Sequence, residues 1–219
     1  MSDFVLVIGN KNFSSWSMRA WLALKQTGAA FDEHQIWIEE DRDRSQRRAQ
    51  SPAGRVPVLR HGDARIWDTL AIAEYLAELF PDQGLWPGDR AARARARSIC
   101  AEMHSGFFAI RTEMPMNCRA RKAAADRGPE VALEVARVVE IWEDTRREFG
   151  GDGRFLFGEP SLAEAFFAPV VSRFATYSVP LEGAAAAYRD DVLALPAVCE
   201  WLSGAAAEEH TIPEYADRP

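Results

Sequence analysis

The chain has few cysteines, and their spacing matches neither a disulfide framework nor a metal site. Cys100, Cys118 and Cys199 are dispersed over 219 residues. An odd, scattered set indicates a reducing compartment rather than a disulfide-stabilised secreted fold. The four histidines, at positions 34, 61, 104 and 210, are equally scattered. We therefore expect no metal centre and a cytoplasmic location.

Long hydrophobic runs and an excess of positive charge are also missing. No stretch approaches the ~18 uninterrupted apolar residues of a membrane-spanning helix, and no charged-then-apolar leader opens the chain. The sequence has 26 Lys and Arg against 33 Asp and Glu, for a net charge of -7. Nucleic acids and anionic membranes select basic surfaces. The predicted partner is therefore a small molecule, and neither nucleic acid nor a membrane.

Strand-like and helix-like segments alternate in the first third of the chain. Apolar runs at 4–8 and 31–38 flank a helix-forming segment at 15–25, which predicts a parallel βαβ unit. The charged segment 41–50 is predicted to be a short solvated helix or a loop. Strands at 55–59 and 65–67 and a helix capped by Asp68 and Thr69 follow.

A break rich in proline and glycine separates this part from alanine-rich segments with helical periodicity. We predict an α/β domain at 1–82, a linker at 83–89 and an all-helical domain at 90–219. One long helix is predicted over Arg90–Arg111. The capping box Ser161-x-x-Glu164 opens a nearly wholly apolar helix, which is therefore predicted to be central.

Two predicted helix starts carry residues that suit a ligand. Ser14 and Ser15 open the first helix, and Asp68 and Thr69 open the third. Such residues are common N-caps, while helix N-termini also favour anions. The residues alone leave an ordinary cap and a binding site both open.

Pro57 follows Val56 at the entrance of the predicted third strand. A cis bond there would form a bend that exposes the Val56 backbone N–H and C=O to an extended ligand. A trans bond is the commoner alternative for a bond that precedes proline.

Four motifs occur in the order typical of one family. They are Ser14-Ser15-x-Ser-x-x-Arg, Ser51-Pro52-Ala53-Gly54-Arg55-Val56-Pro57-Val58-Leu59, Asp68-Thr69-Leu70-Ala71-Ile72-x-x-Tyr75-Leu76 and Ser161-x-x-Glu164. Together with the order of elements, they resemble the glutathione S-transferases over essentially the whole chain. The serine pair resembles that of zeta-like and related bacterial members. The resemblance implies a thioredoxin-like α/β domain followed by an all-α helical bundle, and a homodimer.

The resemblance also implies a glutathione site in the first domain. Val56, before Pro57, which is cis in the family, would pair its backbone with the cysteinyl part of glutathione. Asp68 and Thr69 would hold the ammonium and the carboxylate of the γ-glutamyl end. Arg55 would either pair with the glycine carboxylate or point to solvent.

By position in the motif, Ser14 is the first choice and Ser15 the second as the catalytic group that donates to the glutathione sulfur. The chain departs from the zeta enzymes in several places. Trp16 replaces a small residue or cysteine, Asp68 is one methylene shorter than Glu or Gln, and Thr176 stands where the isomerases have an arginine.

The second substrate is expected against a stripe of the long helix, formed by His104, Phe107, Phe108 and Arg111, with core packing as the alternative for the two phenylalanines. The predicted function is transfer of glutathione, as co-substrate, to an electrophilic or apolar small molecule, a detoxification reaction. Glutathione-dependent isomerisation or dehalogenation on the same site, and a non-catalytic ligand-binding protein, are the alternatives.

Overall fold

The computed structural model describes residues 3–37 and 44–212. Its strands are β1 (Phe4–Ile8), β2 (Phe31–Gln35), β3 (Val58–His61) and β4 (Ala64–Trp67). Its α-helices are α1 (Ser15–Gln26), α2 (Arg44–Gln50), α3 (Thr69–Leu79), α4 (Arg90–Ser105), α5 (Phe108–Glu113), α6 (Pro129–Phe149), α7 (Leu162–Thr176), α8 (Gly183–Leu193) and α9 (Pro196–Ala207). The predictions for residues 38, 41–43 and 213–219 lie outside the described residues.

The four strands form one mixed sheet in the order β2-β1-β3-β4. β1 and β2 are parallel, with Phe4 opposite Phe31, which confirms the predicted βαβ unit. β3 is antiparallel to both β1 and β4 and places Leu59 between Leu6 and Ile66. This is the thioredoxin-like arrangement expected of the first domain.

The helical part of the chain packs around α7, as the apolar pattern of that helix predicts. Ser161 and Glu164 form the predicted capping box at its start. Apolar side chains such as Phe166, Phe167 and Phe174 are at most 1% exposed, because α7 packs against both α1 and α4. One apolar core therefore runs from the sheet through α1 into the bundle. The domain boundaries given above remain a prediction.

The single long helix expected over residues 90–111 is wrong, because α4 ends at Ser105 and a new helix begins at Phe108. Gly106 is extended and Phe107 has φ +60°. The Glu134 carboxylate on α6 accepts hydrogen bonds from the backbone N–H groups of Ala109 (3.2 Å) and Ile110 (2.8 Å). This contact satisfies N–H groups at the start of α5, which a continuous helix would have bonded internally.

A contact between distant parts of the sequence holds the loop that leads into α1. The Glu208 carboxylate accepts hydrogen bonds from the backbone N–H groups of Lys11 (2.5 Å) and Asn12 (2.9 Å). Trp201 donates its indole N–H to the Lys11 carbonyl at 3.0 Å. The loop before α1 is thus fixed by α9 and the residue that follows it. Among the described residues, no helix is long and apolar enough to cross a membrane.

Candidate active site

A cavity of about 270 Å³ lies where the first domain meets α4. It brings together most of the residues that the sequence predicted for glutathione. Its walls are formed by Trp16, Ser51, Ala53, Arg55, Val56, Pro57, Trp67, Asp68, Thr69 and His104. The site is therefore assembled from α1, the bend before β3, the start of α3 and one side chain of the helical bundle.

The bend before β3 forms one wall of this cavity. The Val56–Pro57 peptide bond is cis, as the resemblance implies. β3 begins only at Val58, so the backbone of Val56 lies at the cavity before the strand pairs. Arg55 is part of the same wall. The hydroxyl of Ser51 has no partner among the described residues, although the side chain is only 1% exposed.

The start of α3 forms another part of the cavity wall. Asp68 is the N-cap, and its Oδ1 accepts a hydrogen bond from the Leu70 N–H at 2.8 Å. Its φ of +74° is a conformation that residues other than glycine rarely adopt, and such strain is concentrated at functional sites. Thr69 is 2% exposed and lines the cavity beside it. A carboxylate, a hydroxyl and a helix N-terminus therefore meet at one point.

His104, in the last turn of α4, joins the bundle to this start of α3. Its Nε2 lies 3.2 Å from Asp68 Oδ2, and its Nδ1 lies 3.3 Å from Thr69 Oγ1. The edge contact with Trp16, at 5.0 Å between ring centroids, holds the imidazole from a third side. Burial lowers the pKa of His104, and the Asp68 carboxylate opposes that effect. His104 is thus the residue of the predicted stripe that reaches the cavity.

The structure does not bring the other members of the stripe to the cavity wall. Phe107 is buried, while Phe108 is 70% exposed and faces a separate surface depression. The break at Gly106 is the reason, because it ends the helical periodicity that would have placed both rings on the same face as His104. Arg111 bonds back to the carbonyls of Met103 and Gly106.

At the start of α1, unlike at the start of α3, the serine side chains form hydrogen bonds within the protein and do not line the cavity. Ser14 is the N-cap, accepting from the Ser17 N–H at 3.3 Å and donating to Ser17 Oγ at 2.8 Å. Ser17 Oγ also accepts from the Gly9 N–H at 3.0 Å. Ser15 Oγ accepts a hydrogen bond from Arg173 at 3.4 Å. Ser14 and Ser15 are each 5% exposed and do not line the cavity, so their catalytic role stays a prediction.

Trp16 is the residue of this helix start that reaches the cavity. Two guanidinium groups lie against its ring, that of Arg19 at 4.6 Å and that of Arg111 at 4.9 Å from the ring centroid. Arg19 is fully buried, donates from Nε to the Phe166 carbonyl, and has no partner for either terminal nitrogen among the described residues. Burial, followed by the nearby cation of Arg111, holds the pKa of Arg19 well below its usual range.

Some cavity residues were not among the predicted site residues. Ser51 opens the motif that contains Pro57, and Trp67 ends a predicted strand, but neither was predicted to bind a ligand. Their position in the sequence could have indicated that they line the site, because Ser51 precedes the Pro57 bend and Trp67 precedes the cap of α3. Within the described ranges, no three His, Cys, Asp or Glu side chains converge in a way that could hold a metal ion.

Fold and site together define a two-domain protein with a thioredoxin-like domain, a helical bundle and, at their junction, a cavity lined by both apolar and polar side chains. Residues 13–79 match the glutathione S-transferase N-terminal domain family. The chain is 37% identical over 93 residues to a probable maleylacetoacetate isomerase of Caenorhabditis elegans, covering 42% of each chain. It is 31% identical over 144 residues to a probable glutathione S-transferase of Nicotiana tabacum, covering 64% of this chain and 60% of that protein.

The chain thus spans about half the length of the curated relatives it matches. Among solved structures, a glutathione transferase homolog from Burkholderia with bound glutathione has a TM-score of 0.72. That likeness covers 94% of this chain and 99% of the other, at 22% identity, and so bears on the fold. Residues 13–79 are thus similar to the N-terminal domain of glutathione S-transferases, and the likeness in fold extends over nearly the whole chain.

Proposed function

We propose that this protein binds glutathione in the cavity and transfers it to an electrophilic small molecule. The observation that carries the proposal is the convergence of the cis Val56–Pro57 bend with Asp68 and Thr69 around one space of about 270 Å³. An extended tripeptide needs a backbone edge for its middle residue. Its free end needs an acid for the ammonium and N–H and O–H donors for the carboxylate.

Arg55 is proposed to meet the glycine carboxylate at the other end of the tripeptide, since it forms the same wall as Val56. Ser51, with its unpartnered hydroxyl, offers a further donor on that side. In this orientation the cysteinyl sulfur lies toward α1. The relatives named above and the glutathione-bound structural neighbour support this ligand.

The thiol is proposed to ionise against the start of α1. The positive end of the helix favours a thiolate over a thiol, and a hydroxyl that donates to sulfur adds to that preference. Ser14 now donates to Ser17 Oγ. If the Ser17 hydroxyl turns its own proton toward Ser14, while still accepting from Gly9, the Ser14 proton is released for the sulfur. The thiol proton passes to solvent, and the thiolate attacks an electrophilic carbon to form the carbon–sulfur bond. In a substitution the leaving group departs with the electron pair of its bond to that carbon; in an addition the pair of the activated double bond is displaced and takes up a proton from solvent.

The test is a titration of the ultraviolet thiolate absorbance of bound glutathione. We expect the Ser14→Ala variant to raise the thiol pKa by roughly one to two units, because a hydrogen bond to a charged group is worth about 1.5–3 kcal/mol. Ser15→Ala, whose hydroxyl contacts Arg173, serves as the matched control and should leave that pKa unchanged. The serine assignment is wrong if neither variant moves the thiol pKa. The transferase proposal is wrong if glutathione does not bind.

Glutathione-dependent isomerisation of an unsaturated carboxylate is the second candidate. The buried Arg19, with two unpartnered terminal nitrogens beside Trp16, favours it because a buried cation needs a counter-ion. A relative named maleylpyruvate isomerase, from a Ralstonia species, is 24% identical over 176 residues and supports the same reading. The Arg19→Met variant should lose activity on anionic electrophiles and keep it on neutral ones. Equal losses on both would reject this candidate.

Assembly and location complete the proposal. We expect a homodimer in the cytoplasm that detoxifies electrophiles, in line with the family. Sedimentation equilibrium of the full chain at micromolar concentration tests the dimer. A monomer at every concentration would contradict it without affecting the proposed ligand.

A further inference from the structure

We propose that His104 is a positioning residue that links protonation of its imidazole to the binding of a ligand carboxylate at Thr69. The inference rests on the proposed glutathione site, because the γ-glutamyl carboxylate is the group expected at the start of α3. The imidazole lies between two partners on that helix start. Nε2 is 3.2 Å from Asp68 Oδ2, and Nδ1 is 3.3 Å from Thr69 Oγ1.

With a neutral imidazole, these two contacts fix the direction of the Thr69 hydroxyl. One ring nitrogen of neutral histidine donates and the other accepts. An ionised carboxylate only accepts, so Nε2 carries the proton toward Asp68 and Nδ1 is the acceptor. The Thr69 hydroxyl must then donate to Nδ1. Its lone pairs remain toward the cavity, where they repel a carboxylate.

Protonation of His104 reverses the hydroxyl. Both ring nitrogens then donate, and Thr69 Oγ1 accepts from Nδ1. The hydroxyl proton becomes available for a ligand carboxylate, which is also attracted by the imidazolium charge. The protonated state therefore binds the carboxylate more tightly. By thermodynamic linkage, binding raises the pKa of His104 and takes up a proton.

The burial of His104 and the charged groups around it set its pKa in the free protein. Burial is the main cause of its lowered pKa, and Asp68 at the start of α3 partly offsets it. The cations of Arg19 on α1 and Arg111 on α5 lower the pKa further. The free protein therefore holds the ring neutral at neutral pH. The sign of the pH dependence follows from this. The affinity for the ligand rises as the pH falls through the pKa of His104 in the complex, and it levels off below the pKa of His104 in the free protein.

The experiment is calorimetric titration of the full chain with S-methylglutathione, which has no thiol to ionise. Titrations between about pH 5.5 and about pH 7.5, in two buffers of different ionisation enthalpy, measure protons taken up on binding. The wild type should take up a fraction of a proton for each ligand molecule that binds. It should bind about tenfold more tightly at the lower pH for each unit by which binding raises the His104 pKa.

The decisive variant is His104→Gln, whose amide does not titrate. It should still bind, with no proton uptake and no dependence on pH in this range. His61→Gln is the matched control, because His61 also contacts a hydroxyl, that of Tyr75 at 2.8 Å, but lies outside the cavity. It should behave as the wild type does.

Equal uptake in wild type and His104→Gln, or no uptake in the wild type, would overturn the linkage while leaving the proposed glutathione site intact. If neither glutathione nor S-methylglutathione binds at any pH, the proposed function fails, and this inference fails with it.

Discussion

The starts of α1 and α3 are two helix N-termini at the same domain junction, and they treat their polar groups in opposite ways. At α1, Ser14, Ser17 and the Gly9 N–H bond to one another and are buried. At α3, Asp68 and Thr69 line the cavity, and in the described part of the chain His104 is the residue of the second domain that contacts both side chains through polar atoms. A capped helix start thus becomes a candidate binding site only when its side-chain groups face a cavity instead of one another.

The same difference predicts where a mutation acts. A group whose partners all belong to the protein contributes to folding, and its loss should appear in the free energy of unfolding. A group that faces the cavity contributes to ligand binding, and its loss should appear in affinity. Each substitution below tests one side of that division.

The largest effect is expected for Thr69→Val, which removes a hydroxyl and keeps the shape of the side chain. Loss of a hydrogen bond to a charged ligand group costs about 1.5–3 kcal/mol, or roughly 10- to 100-fold in glutathione affinity. Isothermal titration calorimetry with glutathione measures this change in affinity. Thr145→Val is the matched control, since that buried hydroxyl has no partner among the described residues. The control should keep its affinity for glutathione. If Thr69→Val binds as tightly as the control does, Thr69 does not bind the ligand.

Ser17→Ala should act on folding instead. It leaves the Gly9 N–H buried without its partner at 3.0 Å and removes the acceptor of Ser14. The expected loss is about 1–3 kcal/mol in the free energy of unfolding, measured with urea. Ser98→Ala, which removes a hydroxyl exposed on α4, is the control and should stay within about 0.5 kcal/mol. An unchanged midpoint in Ser17→Ala would mean that the start of α1 is not held by this network.

The smallest effect is expected for the stability of Asp68→Gly. Glycine removes the N-cap carboxylate, at a cost of a few tenths of a kcal/mol relative to a good cap, and adds entropy to the unfolded chain. It also relieves the strain of φ +74°, which is of order 1 kcal/mol. We expect these effects to cancel to within about 0.5 kcal/mol in urea unfolding. Ser14→Gly, at φ -91°, has no strain to relieve and should be clearly destabilising.

The sequence predicted the architecture well where a local pattern is sufficient. The βαβ unit and the central position of α7 follow from strand periodicity and an apolar run, and both are present. The cis bond at Pro57 is also present, but only the resemblance implied it, because the residues alone left trans as the commoner alternative. The break between α4 and α5 was missed because it depends on Glu134, whose carboxylate reaches the start of α5 from another helix. Periodicity carries no information on such a contact.

The site was predicted in its composition more than in its geometry. The motif identified Asp68 and Thr69, and His104 was predicted from its place on the helix that became α4. The cavity brings these three residues together. The inward turn of Ser14, the exposure of Phe108 and the place of Trp16 between two arginines depend on side-chain direction and on distant partners. A single sequence does not encode these in any local pattern.

The hydrogen bonds from Lys11 and Asn12 to Glu208 set an order of events during synthesis on the ribosome. The sheet and α3 can associate once the first third of the chain has emerged, since domains generally fold as units during translation. The hydrogen bonds that the loop before α1 makes with Glu208 cannot form until residue 208 has left the exit tunnel. The loop that leads to the start of α1, where thiol chemistry is proposed, therefore gains these contacts only near the end of synthesis.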